Sequence, residues 1–149
     1  MIVRDLMRHE VLLVGENLTL AELCDLFQMH RVHGAPVVDE GGRLRGFVSQ
    51  EDILFGSMGA SGSARGGRRA PGASKKKGGA PKVDLEPRVR DVMTSPAVTA
   101  DEETDVVDLC QMMWRLRIHH VPVVERGRVT GIVAAMDLCR AVATGTIKV

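Results

Sequence analysis

Two acids, one serine and three histidines are the side chains whose types and spacing could do chemistry in this 149-residue chain. Ser49 and Asp52 lie three apart in Ser49-Gln50-Glu51-Asp52, where a strand-like run gives way to a helix-like pattern. That spacing has two readings. A serine at the N-cap with an acid at the third helical position has the shape of a capping box, each side chain satisfying a backbone N–H. The same pair also offers a hydroxyl and two carboxylate acceptors beside a helix N-terminus, whose N–H groups and positive potential favour phosphate. A second copy, Ala134-Ala135-Met136-Asp137, keeps the acid and lacks the hydroxyl. A cap loses its first member there. This favours a ligand role for Asp137 and puts phosphate binding beside it in doubt. His33, His119 and His120 come with no cysteine or carboxylate set, so structural or phosphate-contacting roles are preferred to metal. No G-x-S-x-G, Walker-type loop or H-E-x-x-H is present, and no enzyme activity is expected.

The motif occurs twice because its surroundings do. Arg31 to Ile53 reads RVHGAPVVDEGGRLRGFVSQEDI, and Arg117 to Leu138 reads RIHHVPVVERGRVTGIVAAMDL, one residue shorter at Gly42. Upstream, Val3-Arg4-Asp5-Leu6-Met7 recurs as Val89-Arg90-Asp91-Val92-Met93, at an offset of 86 that becomes 85 after Gly42. Chance does not sustain such a match over more than fifty positions, so the chain is an internal duplication.

Each copy reads as the same elements. A short apolar stretch, Val11 to Val14 or Ala97 to Thr99, suits an edge strand. Helices follow over Leu20 to Arg31 and Asp105 to Arg117, with Leu20, Leu23, Phe27 and Val106, Leu109, Met113 on one face. Thr19 with Glu22 fits a capping box, and Asp105 suits the start of the second helix. Two strands joined by a glycine turn come next, then a helix over Gln50 to Phe55 or Ala135 to Ala143. The pattern is β-α-β-β-α twice, an α/β (α+β) chain. The expected divisions are repeat 1 over 1–55, a linker over 56–87 and repeat 2 over 88–149. A unit of about 55 residues is marginal alone, so the copies are expected to share a core.

Composition bounds the rest. With 44% hydrophobic and 26% charged residues the chain reads as soluble and globular, and a cytoplasmic location is the default. No apolar run approaches the roughly 20 residues that cross a bilayer. Cys24, Cys110 and Cys139 lie in helical patterns without a C-x-x-C pair and read as reduced core residues. Met29, Met112 and Met113 read as core or dimer-interface packing, and Trp114, near the edge of its helix face, suits a dimer contact if exposed. Between the copies, Gly56 to Val83 loses apolar periodicity and carries seven Lys and Arg with no acid. Against a chain total of +1, the remainder therefore carries −6. A basic tether of this kind makes a nucleic-acid or acidic-partner adaptor the alternative function, although such runs are usually solvated and the body is acidic. The absence of tyrosine and the single Trp114 argue against a base-stacking platform.

Tandem β-α-β-β-α units with an H-x-x-P-V-V strand and a closing G-h-V-S-x-x-D-h motif (h apolar) resemble a pair of CBS domains, a Bateman module. The resemblance covers Ile2 to Phe55 and Arg88 to Thr144. It implies two repeats packed about a pseudo-twofold axis through their sheets, with two clefts. It also implies an adenosine-containing regulatory ligand, AMP, ADP, ATP or S-adenosylmethionine, and a flat, disk-shaped homodimer signalling to a separate effector protein. In that family the closing acid accepts hydrogen bonds from both ribose hydroxyls, and the preceding serine reaches phosphate. Each cleft borrows the opening segment of the other repeat. The resemblance thus sets Ser49 and Asp52 opposite Thr94, Pro96 and Val98, with His33 on the adjoining strand. It sets Asp137 opposite Arg8, His9 and Val11, with His119 and His120 nearby. Val32, Ala35, Ile118 and Val121 would suit adenine faces. A module with empty clefts, serving only for dimerisation, is the third reading.

Overall fold

The computed structural model describes residues 1–58 and 83–148. The first repeat runs through β1 (Val14–Gly15), α1 (Leu20–His30), β2 (Gly34–Val38), β3 (Leu44–Ser49) and α2 (Gln50–Ser57). The second runs through α3 (Val89–Val92), α4 (Val106–Leu116), β4 (His120–Glu125), β5 (Arg128–Ala134) and α5 (Ala135–Ala143). A single 3₁₀ turn, Val3–Asp5, stands where α3 stands in the second copy. Most of the basic linker, with all seven of its Lys and Arg, lies outside the described residues.

β3 pairs antiparallel with β2, which pairs in parallel with β1, and β4 pairs antiparallel with β5. The edge strands are shorter than expected. Only Val14 and Gly15 of the first pair with β2, and in the second the ladder shrinks to one parallel bridge from Ala100 to Val123. The stretch from Ala97 to Thr99 forms no strand, because Ala97 and Val98 line a cleft instead of pairing along β4.

Local chemistry sets the helices. Thr19 Oγ1 accepts from the Glu22 N–H at 3.2 Å, and Glu22 Oε1 accepts in return from the Thr19 N–H at 3.4 Å. Asp105 Oδ1 accepts from the Val107 N–H at 2.8 Å. Both α1 and α4 stop on an arginine in the left-handed region, Arg31 and Arg117, each at φ 53°. Leu20, Leu23 and Phe27 of α1, and Val106, Leu109 and Met113 of α4, are buried, as their spacing predicts. Met29 and Trp114 point to solvent, at 74% and 84% exposure, so neither is core. Cys139 is exposed and Cys24 and Cys110 are half-buried, so the reading of all three as core residues does not hold. The inward face of α5 is instead taken by Asp137 and Ala141.

The repeats interlock through their openings. Arg8 and Ile132 exchange backbone hydrogen bonds at 2.9 and 3.0 Å, which sets the start of repeat 1 against β5. Thr94 and Phe47 do the same at 2.9 Å in both directions, setting the start of repeat 2 against β3. The two exchanges are related by the duplication, so the copies pack about a pseudo-twofold axis through their sheets. Val3 and Met7 consequently join the core of Leu109, Met113, Val121 and Val133. Val89 and Val92 join that of Leu20, Leu23, Phe27 and Val48. Val3 and Val89 are fully buried, which contributes about 1.5–3 kcal/mol each. The close approach needs glycine. A Cβ on Gly46 would sit 2.6 Å from the Thr94 carbonyl oxygen, and one on Gly131 would sit 2.5 Å from Met7 Sδ.

Candidate functional site

A cavity of about 570 Å³ opens where the segment after Thr94 passes β3 and meets the corner between α4 and β4. Repeat 1 contributes His33, Phe47, Ser49 and the first turn of α2, and repeat 2 contributes Thr94, Val98 and Arg117 to His120. The volume lies within the usual range for small-molecule sites. Asp52 and Pro96 are not wall residues, although Glu51 and Ala97 beside them are.

Ser49 ends β3 and caps α2. Its Oγ accepts from the Asp52 N–H at 3.4 Å and donates to Asp52 Oδ2 at 3.1 Å, and that oxygen also accepts the Ser49 N–H at 2.8 Å. The capping reading is therefore realised, and the cap sits on the cavity wall. Phe47 was not singled out in the sequence, yet it shapes the cleft. A Cβ on Gly34 would lie 2.8 Å from Phe47 Cε1 and Cζ, so the ring lies against that glycine. His120 stacks on the same ring, with centroids 5.7 Å apart and planes at 23°. The signal for Phe47 is an exchange of size between the copies. Gly34 and Phe47 in the first become His120 and Ile132 in the second.

The fold lowers the proton affinity of His120. Burial pushes it below its ordinary value of 6.5, and the positive fields of His119, Arg8 and His33 push it further, against a smaller pull from Asp137. His119 and His120, expected beside Asp137, line the Ser49 cleft together with His33. The left-handed turn at Arg117 brings the chain back along that wall before β4 begins. His120 nevertheless senses both Arg8 and Asp137, so it stands where the two clefts approach each other.

The other acid is already engaged. Asp137 is buried, and its Oδ2 accepts from the Ala134 N–H at 2.8 Å and from Arg8 Nε at 3.2 Å. Arg140 lies 3.5 Å from its Oδ1. The cap therefore persists without its serine, because the acid alone still satisfies the N-cap N–H, and the missing hydroxyl is not by itself an argument for a ligand role. Arg8 and Asp137 meet as expected, whereas His9 is exposed and Val11 half-buried in the same segment. Among the described residues no group of three or more His, Cys, Asp or Glu could hold a metal ion. No described helix is long and apolar enough to cross a membrane.

Known proteins agree with this architecture. The CBS domain family matches residues 3–59 and 89–144. The chain is similar to the CBS domain-containing protein YhcV of Bacillus subtilis, at 29% identity over 136 residues, covering 91% of this chain and 81% of that protein. It is also 29% identical over 124 residues to the inosine-5'-monophosphate dehydrogenase of Mycobacterium tuberculosis, covering 82% of this chain but 18% of the enzyme. Among solved structures, the CBS domain pair of protein MJ0100 in complex with 5'-methylthioadenosine and S-adenosyl-L-methionine superposes with a TM-score of 0.74. Its identity is 23%, over 97% of this chain and 98% of that one. CBSX2 in complex with AMP gives 0.71 at 21% identity, covering 98% of each chain. Two matched repeats, interlocked around a cleft that both of them line, make this chain a member of the CBS domain family.

Proposed function

We propose that the chain is a regulatory sensor whose cleft at Ser49 takes an adenosine-containing ligand and passes the signal to a separate protein. The observation that carries this reading is the cavity lined by both repeats, because a ligand there touches both bodies at once. It shifts their relative orientation to the extent that it prefers one arrangement. Val98 and Ile118 supply apolar surface for a base, and Ser49, the first turn of α2 and the histidines supply donors for phosphate. Glu51 is the acid on the wall, and Asp52, which the family resemblance assigns to the ribose hydroxyls, sits in the Ser49 cap beside it. The complexes of MJ0100 and CBSX2, with the same fold, support the adenosine class. At the second cleft a ligand competes with Arg8 for Asp137, so the Ser49 cleft is the stronger site. A homodimer belongs to the same reading, supported by Phe55 on α2 and Met136 on α5, apolar side chains at 54% and 75% exposure.

The test is the melting temperature of the full chain with AMP, ADP, ATP, S-adenosylmethionine and NADH in turn. A ligand at a hundred times its Kd adds roughly 2.7 kcal/mol, a shift of several degrees. Ala97→Trp, which fills the cavity without touching the Ser49 cap, should abolish it. Flat curves for every ligand would refute the sensor and leave the basic adaptor or the empty dimerisation module.

A further inference from the structure

Three imidazoles from both repeats share one cleft. His33 precedes β2, and His119 and His120 lead into β4. The charges around them are lopsided. Arg117 lines the same wall, and Arg8 reaches His120 from the opening of repeat 1. The acids near the group are Glu51 on the wall, Asp52 in the Ser49 cap beside it, and Asp137 on α5, whose field reaches His120. Of these, Asp137 is held by Arg8 and Arg140, and Asp52 by the Ser49 cap. Protonating the histidines therefore makes the cleft net positive.

We propose that His33, His119 and His120 form a proton-linked anion subsite that makes this cleft select phosphate-bearing adenosine ligands over the net-cationic S-adenosylmethionine. The proposal rests on the adenosine reading above and deepens it to a ligand class. Its physical basis is mutual repulsion. The fields of His119, Arg8 and His33 all oppose a positive charge on His120. An anion among them relieves that repulsion and raises their proton affinity, so binding takes up protons. The preference for phosphate then grows as pH falls. A neutral nucleoside gains nothing from it, and a sulfonium is repelled.

The experiment is calorimetric titration of the full chain with AMP, adenosine and S-adenosylmethionine at about pH 8 and about pH 6.5, a window in which AMP keeps most of its second charge. One proton taken up changes Kd by as much as about tenfold per pH unit. AMP is expected to tighten by about fivefold or more between the two conditions. Adenosine should stay level, and S-adenosylmethionine should weaken. Because His120 stacks on Phe47, the double variant His33→Gln/His119→Gln, at two exposed positions, is the cleaner perturbation. It should remove most of the pH response of AMP while sparing adenosine. An AMP affinity as flat with pH as that of adenosine overturns the subsite and leaves the adenosine sensor standing. So does a double variant with an unchanged slope, or tighter binding of S-adenosylmethionine at the lower pH. Absence of binding by all three ligands overturns both readings together.

Discussion

Gly46→Ala probes the interlock at its tightest point. The added methyl would lie 2.6 Å from the Thr94 carbonyl oxygen, 2.9 Å from Met93 Sδ and 3.3 Å from Met93 Cγ. The methionine can swing aside. The carbonyl cannot, because it accepts the Phe47 N–H at 2.9 Å while the Thr94 N–H donates back to Phe47 at the same distance. Relief requires the whole crossing segment to move by several tenths of an ångström, weakening two hydrogen bonds and drawing Val92 from its core. Overpacking of this kind costs about 1–3 kcal/mol. Losing a glycine restricts the unfolded chain and returns about 0.4–1 kcal/mol. The net is about 1–2 kcal/mol, or roughly 3–8 °C in melting temperature for a domain of this size. Urea and thermal unfolding of the full chain should show it against Gly15→Ala, where no heavy atom lies within 4 Å of the new Cβ. Thr94 also lines the cavity, so the proposed sensor should lose affinity for its adenosine ligand in the same variant. A Gly46→Ala protein within about 0.5 kcal/mol of wild type would refute the claim that the interlock is close-packed there.

Other perturbations read other parts of the fold. Arg8→Ala strips Asp137 of its 3.2 Å partner but leaves the Ala134 N–H and Arg140, so the loss should be about 1 kcal/mol and smaller at high salt. Urea titrations at two ionic strengths check it, and a loss that does not respond to salt would show that the ion pair is not its source. His120 binds protons less readily folded than its ordinary value of 6.5 allows, so the unfolded chain takes up more protons as pH falls through that value. The stability that neutral His120 contributes is therefore complete above about pH 6.5 and lost below it, and His120→Gln should flatten the acid limb of a stability–pH curve. Iodoacetamide should label exposed Cys139 before Cys24 or Cys110, both half-buried and with thiols pushed up chiefly by burial. Mass mapping of partly alkylated protein reads the order directly.

What was legible in the sequence was what is local or repeated. The caps at Thr19 and Asp105, the buried stripes of α1 and α4 and both hairpins follow from residue types a few positions apart. The interlock has no such signal. The duplication equates Arg8 with Thr94 and Ile132 with Phe47, but pairing Arg8 with Ile132 spans 124 residues and rests on backbone hydrogen bonds that any side chain permits. Only the glycines at 46 and 131 hint at it, and a glycine in a strand has many explanations. Resemblance to the CBS family supplied the crossing that periodicity could not. The histidines show the opposite limit. Their types were plain, but which cleft they line is decided by tertiary packing, since Arg31 and Arg117 turn the chain identically before His33 and His119. Cys139 was misread because the inward face of α5 is shared with a buried acid, which an apolar count does not anticipate.

The two copies keep one backbone and part company in the side chains that face the clefts. Thr94 stands where the other copy has Arg8, Ser49 where it has Ala134, and Gly34 with Phe47 where it has His120 with Ile132. In one direction these exchanges leave an open cavity beside a capped helix. In the other they place a guanidinium on the acid that the family resemblance assigns to a ribose. A symmetric pair would offer two equal sites and respond to the number occupied. In the proposed sensor the two sites are unequal, and His120, on the wall of the open one, feels the Arg8–Asp137 pair of the other. A charged ligand in the open cleft would there add its field to those of Arg8 and Asp137 at one imidazole. That shared imidazole is one route by which a ligand in one cleft could alter both halves of the interlock.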